Sequence, residues 1–141
     1  LLMAALTSNR NTPEILGHSQ KFHRIKSIKA NTTLYTGSIA AVSTSTGLAE
    51  PAADAAGLAV VGRVEGFTSD GRAVIKSGVF KFDNGTSTEA LGLESLNKTV
   101  YALDDHTVGK VGGTNKIKAG ILRDIDSDGQ VIVEIGTLNL G

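Results

Sequence analysis

The chain contains no cysteine and no tryptophan. The first absence excludes disulfides, thiolate metal sites and cysteine nucleophiles. Aromatic residues make up only 4% of the 141 positions. That leaves the core to Val, Ile, Leu and Ala, and offers little surface on which bases or sugars could stack. Net charge is zero, so no global field points to nucleic acid or to a membrane surface. The longest apolar run falls far short of a membrane span. Leu1 to Leu6 is apolar but lacks the basic flank and the length of a signal peptide, and Leu1 and Leu2 precede Met3. No Gly-x-Ser-x-Gly elbow and no phosphate-cradling glycine loop occurs.

What the chain does have is glycine, 17 residues against two prolines, a composition suited to many turns between short strands. A chain this long is most simply one domain with tails, able to bury roughly two-thirds of its unfolded surface. The charge, though balanced, is uneven. Residues 1–30 carry five Lys/Arg (Arg10, Lys21, Arg24, Lys26, Lys29) against Glu14 alone, and residues 31–141 carry nine against thirteen acids. The balance describes a basic arm on a slightly acidic body.

Residues 1–20 lack sustained periodicity and are rich in Ser, Asn, Thr, Pro and Gly, which predicts an extended arm. The body, residues 21–136, reads as strands. Candidates are Phe22 to Ile28, Thr33 to Thr36, Ser38 to Val42, Leu58 to Thr68, Arg72 to Phe82, Val100 to Leu103 and Thr107 to Val111. Residues 43–57 read as a surface loop with one helical turn at Asp54–Gly57, Asp83-Asn84-Gly85 as a turn, and Glu89 to Leu96 as one short helical turn. Arg72 to Phe82 is apolar on both faces, as a central strand would be. The firmest element is a final hairpin. Ile117, Ala119 and Ile121 alternate on one strand and Val131, Val133 and Ile135 on the other, around Asp126-Ser127-Asp128-Gly129, whose glycine suits a tight turn. Residues 137–141 form a tail. The expected fold is all-β, a small barrel or sandwich of short antiparallel strands.

Two acidic clusters invite chemistry. Asp124-x-Asp126-x-Asp128-Gly129 matches the first half of a calcium loop. Its twelfth position is Ile135, however, which has no carboxylate, and Glu134 is one place short; a hairpin turn is the expectation. Asp104-Asp105-His106 invites a metal or acid–base reading, but three adjacent residues on a tight turn diverge. The other histidines, His18 and His23, lie in or beside the arm. A structural turn is expected here too. No catalytic residue, metal site or cofactor is therefore expected. The aromatic and basic stretch from Phe22 to Lys29 is too thin for nucleic-acid binding.

Several stretches carry a resemblance: Ala5-Leu6-Thr7-Ser8-Asn9-Arg10-Asn11-Thr12-Pro13-Glu14; Ala52 through Glu65; Thr99-Val100-Tyr101 running into Asp104-Asp105-His106-Thr107-Val108; and the closing segment to Ile135. In this order they resemble the small capsid decoration, or cement, proteins of tailed bacteriophages. The resemblance implies a non-enzymatic virion protein, assembled in the host cytoplasm. It would bind the outer surface of an expanded head as a homo-trimer near local threefold positions and clamp neighbouring major capsid protein subunits, without contacting nucleic acid or membrane. It also implies that the arm residues Thr7, Ser8, Asn9, Arg10, Asn11, Thr12, Pro13 and Glu14 reach the capsid, lying across neighbouring subunits and burying little against their own domain. Arg10 would engage a carboxylate there with its planar fork. A receptor-binding or fibre-attached β-module is the alternative reading.

Overall fold

The computed structural model describes residues 4–16 and 23–136. These form eleven strands: β1 (Glu14–Leu16), β2 (His23–Lys26), β3 (Ile39–Ser43), β4 (Ala49–Pro51), β5 (Leu58–Phe67), β6 (Ala73–Lys76), β7 (Gly78–Asn84), β8 (Thr99–Ala102), β9 (Thr107–Gly109), β10 (Lys118–Ile125) and β11 (Val131–Ile135). Helical structure is limited to two single 3-10 turns, Ser87–Glu89 and Leu93–Ser95. The fold is all-β, as the sequence predicts.

Strands β7, β11, β10, β8 and β9 pair in that order, and β9 returns to β7 in parallel through Asp83↔Thr107 and Asn84↔Val108. The ring is a closed five-stranded barrel. β1 adds to β7, with Glu14 opposite Phe80. The second sheet runs β2-β6-β5-β3-β4, and Ile28 just beyond β2 bridges Ala49 of β4.

Two apolar cores result, and β3 and β5 serve both. Ile39, Ala41 and Val60 join the larger core with Phe80, Phe82, Val100, Leu122, Val131, Val133 and Ile135. Their neighbours Ala40, Val61 and Val64 join the smaller one with Leu34, Ala73 and Ile75. Successive side chains of a strand point to opposite faces, so a strand buried on both sides forms a wall between two cores.

The expected single strand from Arg72 to Phe82 is instead a corner. β6 lies in the second sheet and β7 in the barrel, with Ser77 buried between them. Its doubly apolar pattern comes from feeding one core and then the other. The chain returns past this corner at Gly136 (φ +75°), where a Cβ would stand 2.9 Å from both Ser77 Cβ and Val61 O; only glycine fits.

Three further expectations change. The loop at 43–57 contains β4, and its Asp54–Gly57 segment is not helical; residues 33–36 are not a strand; and Asp83 and Asn84 extend β7 rather than turning. β4 was hidden because Ala-Glu-Pro carries no strand signal of its own and is held by pairing to β3. The final hairpin is present, with its turn closed by Asp126 N donating to Gln130 O (2.8 Å) and Gly129 N to Asp126 O (2.9 Å). Register shifts in β10 make Leu122 the fully buried residue in place of Ile121, since a bulge moves the inward face by one residue.

Candidate functional site

Asp104, Asp105 and His106 make the tight turn between β8 and β9. Asp104 Oδ1 accepts the His106 main-chain N–H at 2.9 Å, the side-chain-to-backbone bond such turns favour. The turn is not a surface feature, however. Asp104 is 4% and Asp105 1% exposed. The Asp105 carbonyl accepts from Ile39 N at 2.7 Å and the His106 carbonyl from Asp83 N at 2.9 Å, tying the turn to the shared wall and to the barrel.

The expectation that nothing converges on this turn is overturned. On the β7 side, Asp83 Oδ2 lies 2.9 Å from His106 Nδ1. Asp83 Oδ1 accepts from Arg10 Nη2 at 2.6 Å and from Gln130 Nε2 at 2.7 Å. On the arm side, the Ala4 carbonyl lies 2.9 Å from His106 Nε2, and Leu6 N donates to Asp105 Oδ1 at 2.9 Å. Thr107 Oγ1 is 3.2 Å from His106 Nδ1. Both ring nitrogens are thus engaged, by a carboxylate on one side and the arm on the other.

Electrostatics follow from this packing. Burial pushes the Asp105 carboxyl above the usual aspartate range, and the Leu6 amide only partly opposes it. Burial acts the same way on Asp83, but hydrogen bonds from Arg10, Gln130 and His106 outweigh it and hold that carboxyl low. For His106 burial favours the neutral ring, yet the Ala4 carbonyl, Asp83 and Asp104 prevail and raise its pKa.

The arm reaches this cluster by a polar path. Arg10 N donates to Thr36 O at 2.8 Å, and Thr36 N donates to Asn9 Oδ1 at 3.0 Å. Thr12 is fully buried; its hydroxyl donates to Gly37 O at 2.9 Å and accepts from Arg63 Nε. Gly37 (φ +92°) is the seat. A Cβ there would stand 1.7 Å from the Arg10 carbonyl oxygen. Most arm side chains from Ala4 to Pro13 are exposed, in keeping with an arm that buries little, but Leu6, Arg10 and Thr12 tie it to its own body; the expected boundary at 20 lies outside the described residues. The arm lacks periodicity because it docks through single polar residues, not an apolar face.

Of the expected capsid-binding residues, Asn9, Arg10 and Thr12 hold the arm to the body. Thr7, Ser8, Asn11 and Pro13 are exposed, and Glu14 pairs through its main chain in β1. Arg10 meets Asp83 of its own chain with one nitrogen, and its Nε is buried without a partner. Sequence reasoning missed Asp83 and Ala4. The signal for Asp83 was Lys81 and Asp83 alternating with Phe80 and Phe82, which marks the outer face of a strand rather than a turn.

The second acidic cluster forms the exposed hairpin turn. Lys81 Nζ lies 2.6 Å from Asp126 Oδ2 and 2.6 Å from Asp128 Oδ2, and this ammonium keeps both carboxyls low. A further pair of acids pins the loop at 110–116. Glu89 accepts the amides of Val111, Gly112 and Gly113 at 2.8–2.9 Å, and Asp54 those of Thr114 and Asn115 at 2.9 and 2.8 Å. Glu89, Asp54, Asp104, Pro51 and Ala5 line an open groove of about 550 Å³.

The chain matches no protein-family model, no curated protein sequence and no solved structure.

Proposed function

We propose that the chain is a structural protein of a tailed-phage head. It binds the outer surface of the capsid and bridges neighbouring major capsid protein subunits as a homo-trimer. Beside the sequence resemblance, the observation that carries this reading is the arm. It is an extended strap seated on the body by hydrogen bonds, with Thr7, Ser8 and Asn11 exposed along it. Such groups bond readily to the backbone edges of a neighbour, and many weak copies on one shell gain strength by avidity. In this reading Arg10 positions the strap through Asp83 rather than reaching the capsid itself.

The reading assigns no turnover. Both His106 ring nitrogens are hydrogen-bonded within the chain, Thr107 is 4% exposed, and Glu89 and Asp54 of the groove are engaged by loop amides. No helix among the described residues is long and apolar enough to cross a membrane. The role is tested by adding the purified chain to expanded shells that lack a surface coat. A fixed ratio of chain to major capsid protein after sedimentation is expected; failure to sediment with the shells overturns the reading. Thr7→Glu with Asn11→Glu, both exposed, should leave melting unchanged and weaken shell binding. Full-strength binding by this variant would remove the arm from the interface.

A further inference from the structure

We propose that Asp104, Asp105 and His106 bind a divalent transition-metal ion of the zinc class, with the main-chain carbonyl of Ala4 as a fourth ligand. The inference is independent of the capsid role.

Geometry is the first support. One donor atom from each of the three side chains lies within 4.8 Å of the others. His106 Nε2 is 3.5 Å from Asp104 Oδ1 and 2.9 Å from the Ala4 carbonyl oxygen. Bonds of about 2.0–2.2 Å to one tetrahedral ion place neighbouring ligands roughly 3.3–3.6 Å apart; the 3.5 Å separation already matches, and the others need shifts of roughly an ångström or less to close around an ion. An imidazole in the set favours a transition ion over calcium or magnesium.

The surroundings of the histidine are the second support. A metal-bound imidazole usually gives its other N–H to a carboxylate that fixes the ring. His106 Nδ1 lies 2.9 Å from Asp83 Oδ2, and Asp83 is itself fixed by Arg10 and Gln130. Nε2 is thereby aimed at Asp104 and Ala4.

The third support is independent of ligand spacing. Asp104 Oδ2 is buried and has no hydrogen-bond partner. A carboxylate oxygen withdrawn from water is costly unless something positive or protic meets it. Arg10 is directed at Asp83, and His106 at Asp83 through Nδ1 and at Asp104 Oδ1 through Nε2; neither is paired with Asp104 Oδ2, and no lysine or arginine is paired with Asp104 or Asp105 among the described ion pairs. An ion placed between the two carboxylates would satisfy the orphaned oxygen. Asp104 and Ala5 both line the open groove, which gives the ion a path from solvent.

Titration of the full chain with Zn²⁺ by calorimetry, and with Co²⁺ followed by visible absorption, tests the site. One saturable equivalent is expected, with absorption bands of a nitrogen–oxygen ligand set. Asp104→Asn and His106→Gln should each abolish it. Asp83→Asn, which touches no ion, should weaken it by about 10–100-fold, an effect a merely structural role would not produce on ion affinity. Removal of residues 1–5 should weaken but not abolish it. A double variant at His18 and His23 should bind as the parent does. Each variant is checked for folding by circular dichroism; if Asp104→Asn does not fold, His106→Gln and Asp83→Asn decide. No saturable binding at about millimolar Zn²⁺, a range typical of weak sites, overturns the proposal. So does binding that survives Asp104→Asn and His106→Gln, or that is lost with His18 and His23.

Discussion

The two acidic turns are built from similar residues and sit in opposite environments. Asp126 and Asp128 stand at the tip of a hairpin, open to solvent, and Lys81 reaches up from the adjacent strand to neutralise both. Asp104 and Asp105 stand inside the molecule; Arg10 nearby is engaged by Asp83, and His106 is shared between Asp83 and Asp104. In the first turn, one lysine of the neighbouring strand, itself only 16% exposed, answers both charges at the solvent edge. In the second, the answer is assembled from three separate pieces of chain, the arm, β7 and the turn itself. Water makes the first arrangement tolerant of change. Burial makes the second dependent on every partner.

The sharpest way to break the comparison is to unseat the arm. Gly37→Ala should cost about 1–2 kcal/mol from its left-handed backbone, with displacement of Arg10 added to that. Urea denaturation should show the loss. Amide exchange should quicken at Leu6 and Arg10 while the turn at Asp126 is unaffected. Next in size is Arg10→Ala, expected to destabilise by roughly 1–2 kcal/mol. That is toward the low end for a charged bond, because Arg10 and Asp83 keep 25% and 33% of their side chains exposed and solvent screens them. Arg10→Lys should recover only part, and a urea midpoint equal to the parent's in Arg10→Ala would show that the pair contributes nothing.

A carboxyl-carbon NMR titration in the presence of a chelator sharpens the contrast directly. Asp126 and Asp128, held low by Lys81, should titrate below the ordinary aspartate range, and Asp105, raised by burial, above it. The signs for stability are opposite. The depressed pair contributes stability above its unfolded pKa and loses it as pH falls through the folded values. The raised Asp105 opposes folding while ionised, and that opposition fades as pH falls through its folded value. Equal titration of all three would erase the distinction. The smallest effect belongs to Lys81→Gln, a slight fall in melting temperature that vanishes in high salt because exposed pairs are screened.

Legibility in the sequence divides along similar lines. The final hairpin was readable because Val131, Val133 and Ile135 alternate and Gly129 permits the turn, both local properties. All-β character followed from the glycines and short alternating runs. The corner at Ser77 was not readable, since an apolar pattern on both faces does not distinguish one strand between two layers from two strands in different sheets. Asp104-Asp105-His106 was legible as a turn, but not its burial or its partners, because those lie in residues distant in sequence. Nothing in Asp104-Asp105-His106 reports that Ala4, Arg10 and Asp83 will surround it. That the arm is extended was legible; how it is seated on its own body was not, because Thr12 and Gly37 specify docking by one hydroxyl and one missing side chain.

Closure of the two sheets bears on solubility at high local concentration. Unpaired strand edges are templates for adding another chain. Here β9 meets β7 and leaves the barrel no seam, while the bridge from Ile28 to Ala49 covers the margin of the second sheet beside the three-residue β4, which ends at Pro51. Among the described residues the three-residue β1 is left as the edge of the barrel sheet, so crowded copies find few backbone groups there with which to polymerise.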